Sequence, residues 1–183
     1  MKRPRPAQSL AVLALLIAVA WSVAFGVPAL LERSHATEAI NQLARLARGA
    51  SVYYVKPRAA EDGTRLVCQF PPGEIRSTMA ASCCDPSVAL PGTKLCDPAK
   101  VIWNRPLWNA LHFRLDEPHA FVYRYQASGT LADANFVVEA FGDLDCDGTI
   151  STFRFVGRGD PEARPDDCVL RTHPVFETGM VDE

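Results

Sequence analysis

The stretch that decides the fold is residues 10–54, LAVLALLIAVAWSVAFGVPALL followed without a break by ERSHATEAINQLARLARGASVYY. Its first 22 residues, 10–31, are apolar or small and carry no charge. As a helix rising about 1.5 Å per residue they span roughly 33 Å, the thickness of a bilayer core. From residue 32 the pattern changes from continuous to periodic. Ala36, Ala39, Ile40, Leu43, Ala47, Ala50 and Tyr54 recur at three- and four-residue steps, and Glu32, Arg33, Glu38, Asn41, Arg45 and Arg48 lie off that stripe. That spacing predicts an amphipathic helix over residues 32–56 that continues the apolar one. Pro28 is the internal breaker and is expected to kink the axis rather than end it. Pro57 and the polar AEDGT after it supply the stop.

Direction follows from charge. Lys2, Arg3 and Arg5 precede the apolar run, so residues 1–9 read as a basic cytoplasmic leader, residues 10–31 as a transmembrane helix, and everything beyond as exported. A cleaved signal peptide is the competing reading, because Ala18-Val19-Ala20 makes a small-residue cleavage site. The anchor is preferred, since cleavage there would leave residues 21–31 as an apolar terminus in need of cover.

The body fits export. All six cysteines, Cys68, Cys83, Cys84, Cys96, Cys146 and Cys168, lie beyond the anchor, and their even number predicts disulfides in an oxidising compartment. Four of them fall in residues 57–100, where Pro71-Pro72-Gly73 and Pro91-Gly92 mark turns and neither period is visible, so that region reads as a stapled loop. Segregation along the chain predicts Cys146 paired with Cys168 and the other four paired among themselves. A vicinal Cys83–Cys84 bridge is disfavoured by strain. A short helical turn is expected around Trp103 and Trp108, leading to Ala110, Leu111 and Phe113.

From His119 the period becomes two. Phe121, Tyr123 and Tyr125 alternate with Val122 and Arg124. Phe136, Val138 and Ala140 alternate with Val137 and Glu139, and residues 150–156 carry Phe153 and Phe155 on one face. Turn-rich connections of hairpin length make this an antiparallel meander, with a short edge strand expected near Val175 and Phe176. The aromatic face is expected to pack on the amphipathic helix. The fold class is therefore α+β: a long N-terminal helix on an antiparallel sheet with disulfide-stapled loops, the head domain occupying residues 57–183.

Composition narrows function. With 19 basic against 21 acidic residues and a net charge of -2, the chain has no surplus of Lys and Arg for phosphate backbones, and nucleic acid is not an expected partner. No nucleophile elbow, zincin motif, phosphate-binding loop, dinucleotide-binding glycine pattern or C-x-x-C pair occurs, so no enzyme is expected. Asp143, Asp145, Asp147 and Gly148 have the opening of a calcium loop. Its twelfth position is Arg154 where a bidentate glutamate is needed, and its flanks are strands. A hairpin turn is the preferred reading over a calcium site, and no other cofactor is expected. His112 and His119 flank Asp116-Glu117-Pro118 at no ligand spacing and are expected to be exposed or at a strand edge.

Several stretches together resemble type IV pilins and type II secretion pseudopilins. Residues 28–54 resemble the pilin segment in which a membrane-helix proline precedes a Ser/Thr-x-Glu-Ala step and an alanine-rich helix ending in paired tyrosines. Residues 108–113, 118–125 and 141–153 resemble the Trp-x-Ala-Leu-x-Phe, aromatic-strand and Phe-Gly-Asp-Leu-Asp-Cys-Asp-Gly-Thr stretches of bacterial pilin-like proteins. The resemblance implies a minor or accessory, non-catalytic structural subunit, single-pass in the bacterial inner membrane with its C-terminal domain periplasmic or extracellular. Its partners would be membrane lipid and other pilin-like subunits, met through the N-terminal helix. With Pro28 on the family's membrane proline, the prepilin-cleavage glycine falls on Pro6 and the docking glutamate on Ala11. A single-pass envelope-anchored binding protein that never enters a fibre is the alternative.

Overall fold

The computed structural model describes residues 6–59, 61–162, 168–170 and 175–178; the side chains of residues 6–14, 23–33 and 175–178 lie outside the description. The chain forms two compact units, Met1–Thr37 and Glu38–Glu183. Helix α1, Pro6–Val55, runs through Pro28 without ending. The basic residues Lys2, Arg3 and Arg5 and much of the expected membrane segment lie outside the described side chains. Among the described residues no helix is long and apolar enough to cross a membrane.

The second unit is α+β, a helix packed on an antiparallel sheet and stapled by three disulfides. Within it α1 buries Ala39, Leu43, Leu46, Ala47, Ala50 and Tyr54. This is the expected stripe with Leu46 added and two members removed, Ile40, 37% exposed, and the half-buried Ala36. Gly49 lets the helix approach the chain at Leu111, since a Cβ there would lie 2.0 Å from the Leu111 carbonyl oxygen.

The sheet has the strand order β1-β2-β3-β4-β5, all neighbours antiparallel. β2 (Val122–Ser128), β3 (Asn135–Gly142) and β4 (Ser151–Arg158) are the three strands that the alternation predicted. β5 (Val175–Thr178) is the short edge strand. The opposite edge, β1 (Gly73–Arg76), falls inside the stretch read as loop. Four residues that begin on the glycine of a Pro-Pro-Gly turn are too few to show a period, and pairing with β2 is what orders them. The expected turn at Trp108 is α2, Pro106–Ala110.

Period two translates into two faces. Tyr123, Tyr125, Phe136, Val138, Ala140 and Phe153 are buried on the inner face, and Phe70 joins Tyr54 of α1 to Phe136 of β3 at ring separations of 4.6 and 4.7 Å. On the outer face Arg124, Glu139 and Arg154 occupy one cross-strand row. Glu139 lies 3.4 Å from Arg124 and 3.8 Å from Arg154. Arg154, the residue at the twelfth position of the calcium template, is thereby committed to the sheet.

All six cysteines are paired, but not as the sequence suggested. The bridges are Cys68–Cys168, Cys83–Cys96 and Cys84–Cys146, with no vicinal bond. Cys146–Cys168 is excluded by β4. That strand's 8 residues, about 26 Å of extended chain, separate the loop holding Cys146 from the far end where Gly159 bridges Leu170 near Cys168. A disulfide needs Cα atoms within about 7 Å. Cys68 is at that far end, where its carbonyl accepts the Leu131 N–H, and its Cα lies 5.3 Å from that of Cys168.

Candidate functional site

Two places gather chemistry-bearing side chains. The first is the β3–β4 connection. Asp143, 6% exposed, directly follows β3, while Asp145 and Asp147 are exposed. One oxygen from each of the three carboxylates lies within 4.8 Å of the others. Calcium binds oxygens at 2.3–2.6 Å, so two ligands of one ion stand at most about 5 Å apart, and the spacing is compatible with an ion.

The same oxygens already have work. The Asp147 N–H donates to Asp143 Oδ1 and Asp145 Oδ1, both at 3.1 Å. The Gly148 N–H donates to Asp143 Oδ2 at 3.1 Å and the Thr149 N–H to Asp147 Oδ1 at 2.7 Å. The bonds from Thr149 hold the Asp147 carboxyl below the usual range. Two left-handed residues close the turn, Cys146 at φ 68° and Gly148 at φ 96°, and the Cys84–Cys146 bridge pins it to the neighbouring loop. Lys94 Nζ donates to the Asp145 carbonyl at 2.9 Å, bringing a cation to the loop. The three sequence-identified aspartates are thus brought together, with their amides as the partners that order them.

Calcium titrated into the protein by calorimetry is accordingly expected to bind no tighter than about 0.1 mM. At 1 mM calcium this limits the stabilisation to about 1.4 kcal/mol. A micromolar affinity that Asp145→Ala abolishes would overturn the turn reading.

The second place is a cavity of about 460 Å³ between α1 and the loop before β2. Glu38 and Arg45 reach it from the helix, and Arg114, Asp116, Glu117 and His119 from the loop. His112 is exposed as expected, but His119 is buried, 3% exposed, which corrects the expectation of an exposed residue. Its strand-edge placement does hold: its carbonyl accepts the Cys96 N–H at 2.8 Å in an isolated bridge. The sequence carried the signal, because 119, 121, 123 and 125 share one parity and the last three are inward aromatics. The His119 ring packs 5.7 Å from Trp103 and 6.0 Å from Tyr123. Its Nδ1 lies 3.0 Å from the Glu117 carbonyl oxygen, which can only accept, so Nδ1 carries the proton. Nε2 is sealed from solvent without a hydrogen-bond partner. Burial pushes the His119 pKa down, opposed by the bond to Glu117. Tyr123 is pushed well above its ordinary value by burial and by the Glu38 carboxylate.

Comparison with protein-family models, curated proteins and solved structures finds no match for this chain. Function must therefore be argued from the residues themselves.

Proposed function

We propose that the protein is a pilin-like structural subunit, a minor or accessory member of a type IV pilus or type II secretion machine, acting by assembly. The observation that carries this reading is α1 itself: an uncharged run of 22 residues, 10–31, leads in the same helix into a stripe packed on an antiparallel sheet. The buried stripe runs from Ala39 to Tyr54, and the run at residues 10–31 is uncharged where a solvated helix would be charged. In this reading residues 10–31 pack in the inner membrane or among neighbouring subunits, and Pro28 sets the bend. Three disulfides suggest an oxidising, extracytoplasmic setting for the head.

A second reading, an envelope-anchored binding protein outside any fibre, is favoured by one observation: Pro6 and Ala11 stand where the resemblance places the processing glycine and docking glutamate. Intact-mass measurement of protein from its native membrane, combined with crosslinking from residues 10–31, separates the two. Assembly is expected to give crosslinks to other pilin-like chains. A full-length, uncrosslinked monomer would support the second reading, and a soluble product starting at Trp21 would overturn both.

A further inference from the structure

We propose that His119 is the trigger of an acid-sensitive latch, whose protonation releases the loop 114–118 from helix α1. In the closed state Nδ1–H donates to the Glu117 carbonyl and Nε2 is bare, buried and unpartnered. A proton on Nε2 would create a charged donor with no acceptor in place, a costly arrangement in a desolvated site.

Charged and titratable groups from three elements line the cavity beside the ring or pack on it. Helix α1 supplies Glu38 and Arg45, the ring's own loop supplies Arg114, Asp116 and Glu117, and β2 supplies the Tyr123 phenol, which stays neutral. None of these charges holds the ring in its charged form: burial and the backbone bond to Glu117 are what set its proton affinity. Glu38, the acceptor nearest in function, already takes the Ala120 N–H on Oε1 at 3.0 Å. A protonated ring must therefore draw Glu38 from Ala120 or be exposed by movement of the loop.

The architecture decides which part moves. The His119 backbone is bonded to Cys96, and Cys96 is tied to Cys83 by a disulfide, so position 119 is fixed. Residues Arg114, Asp116, Glu117 and Pro118 are exposed, and two contacts hold their loop: the buried Leu115 and the Arg45 guanidinium, which donates to the Arg114 carbonyl at 3.2 Å. The depressed His119 pKa gives the sign. The closed state takes up a proton less readily than the open one, so closure is favoured above the ordinary histidine pKa and weakens as pH falls below about 6.5.

The test is hydrogen exchange of the intact chain at several pH values between 7.5 and 5, corrected for intrinsic amide rates. The open fraction of residues 112–118 is expected to rise by up to about tenfold per pH unit below 6.5. His119→Gln should abolish the dependence, whereas His112→Gln and Glu38→Gln should keep it. A pH-independent wild type, or a response that survives His119→Gln and vanishes in Glu38→Gln, would overturn the latch. Should His119→Gln fail to fold, histidine ring NMR of the wild type decides: the His119 titration must fall below the ordinary histidine value and coincide with loop opening, and a titration without opening refutes the proposal.

Discussion

Replacing Cys68 and Cys168 together by serine is expected to lower the unfolding free energy by about 4–5 kcal/mol, the largest effect of any single bridge. The two residues are 100 apart in sequence, so the bond removes the closure entropy of a loop spanning most of the head. At roughly 2–4 °C per kcal/mol for a chain of this size, the melting temperature should fall by about 8–20 °C. The Cys83–Cys96 bridge encloses a separation of only 13 and supplies the internal control. By the same entropy argument its removal should cost about 1.5–2 kcal/mol less. Thermal or urea unfolding of the two double-serine variants under identical conditions measures the difference. Equal losses would show that chain entropy does not set the contribution of these bridges.

Gly49→Ala is expected to destabilise although helix propensity argues for the opposite. In a solvated helix alanine would gain about 1 kcal/mol over glycine. Here the added Cβ would stand 2.0 Å from the Leu111 carbonyl oxygen and 2.9 Å from its carbon, both backbone atoms. Neither can rotate away, so α1 or the chain after α2 must shift, at about 2–3 kcal/mol or more. The clash outweighs the propensity, and a net loss of at least about 1–2 kcal/mol is expected in urea unfolding. Val52→Ala, on the exposed side of the same helix, should change little. A stabilised Gly49→Ala protein would mean that the helix does not lie against Leu111 as described.

The alternation of Phe121, Tyr123 and Tyr125, and of Phe136, Val138 and Ala140, made β2 and β3 legible because side chains on a strand report their face by parity alone. The stripe from Ala39 to Tyr54 was legible for the corresponding reason at period 3.6. β1 was not, since four residues acquire strand geometry only from the partner they bond to. The three aspartates were visible as a group, but their engagement with the amides of residues 147–149 depends on a left-handed Cys146 that no spacing rule announces.

By itself the sequence determined what is local and periodic: the apolar run, the amphipathic stripe, the aromatic strands, the even number of cysteines and the absence of a catalytic motif. Only the tertiary structure decided which distant residues meet. It set Cys68 against Cys168 and Cys84 against Cys146, buried His119 behind Trp103, and committed Arg154 to Glu139. The physical reason is range. Periodicity and turn chemistry are properties of neighbours along the chain, whereas disulfide partners and burial depend on the length and direction of the strands between them, fixed only when the sheet assembles.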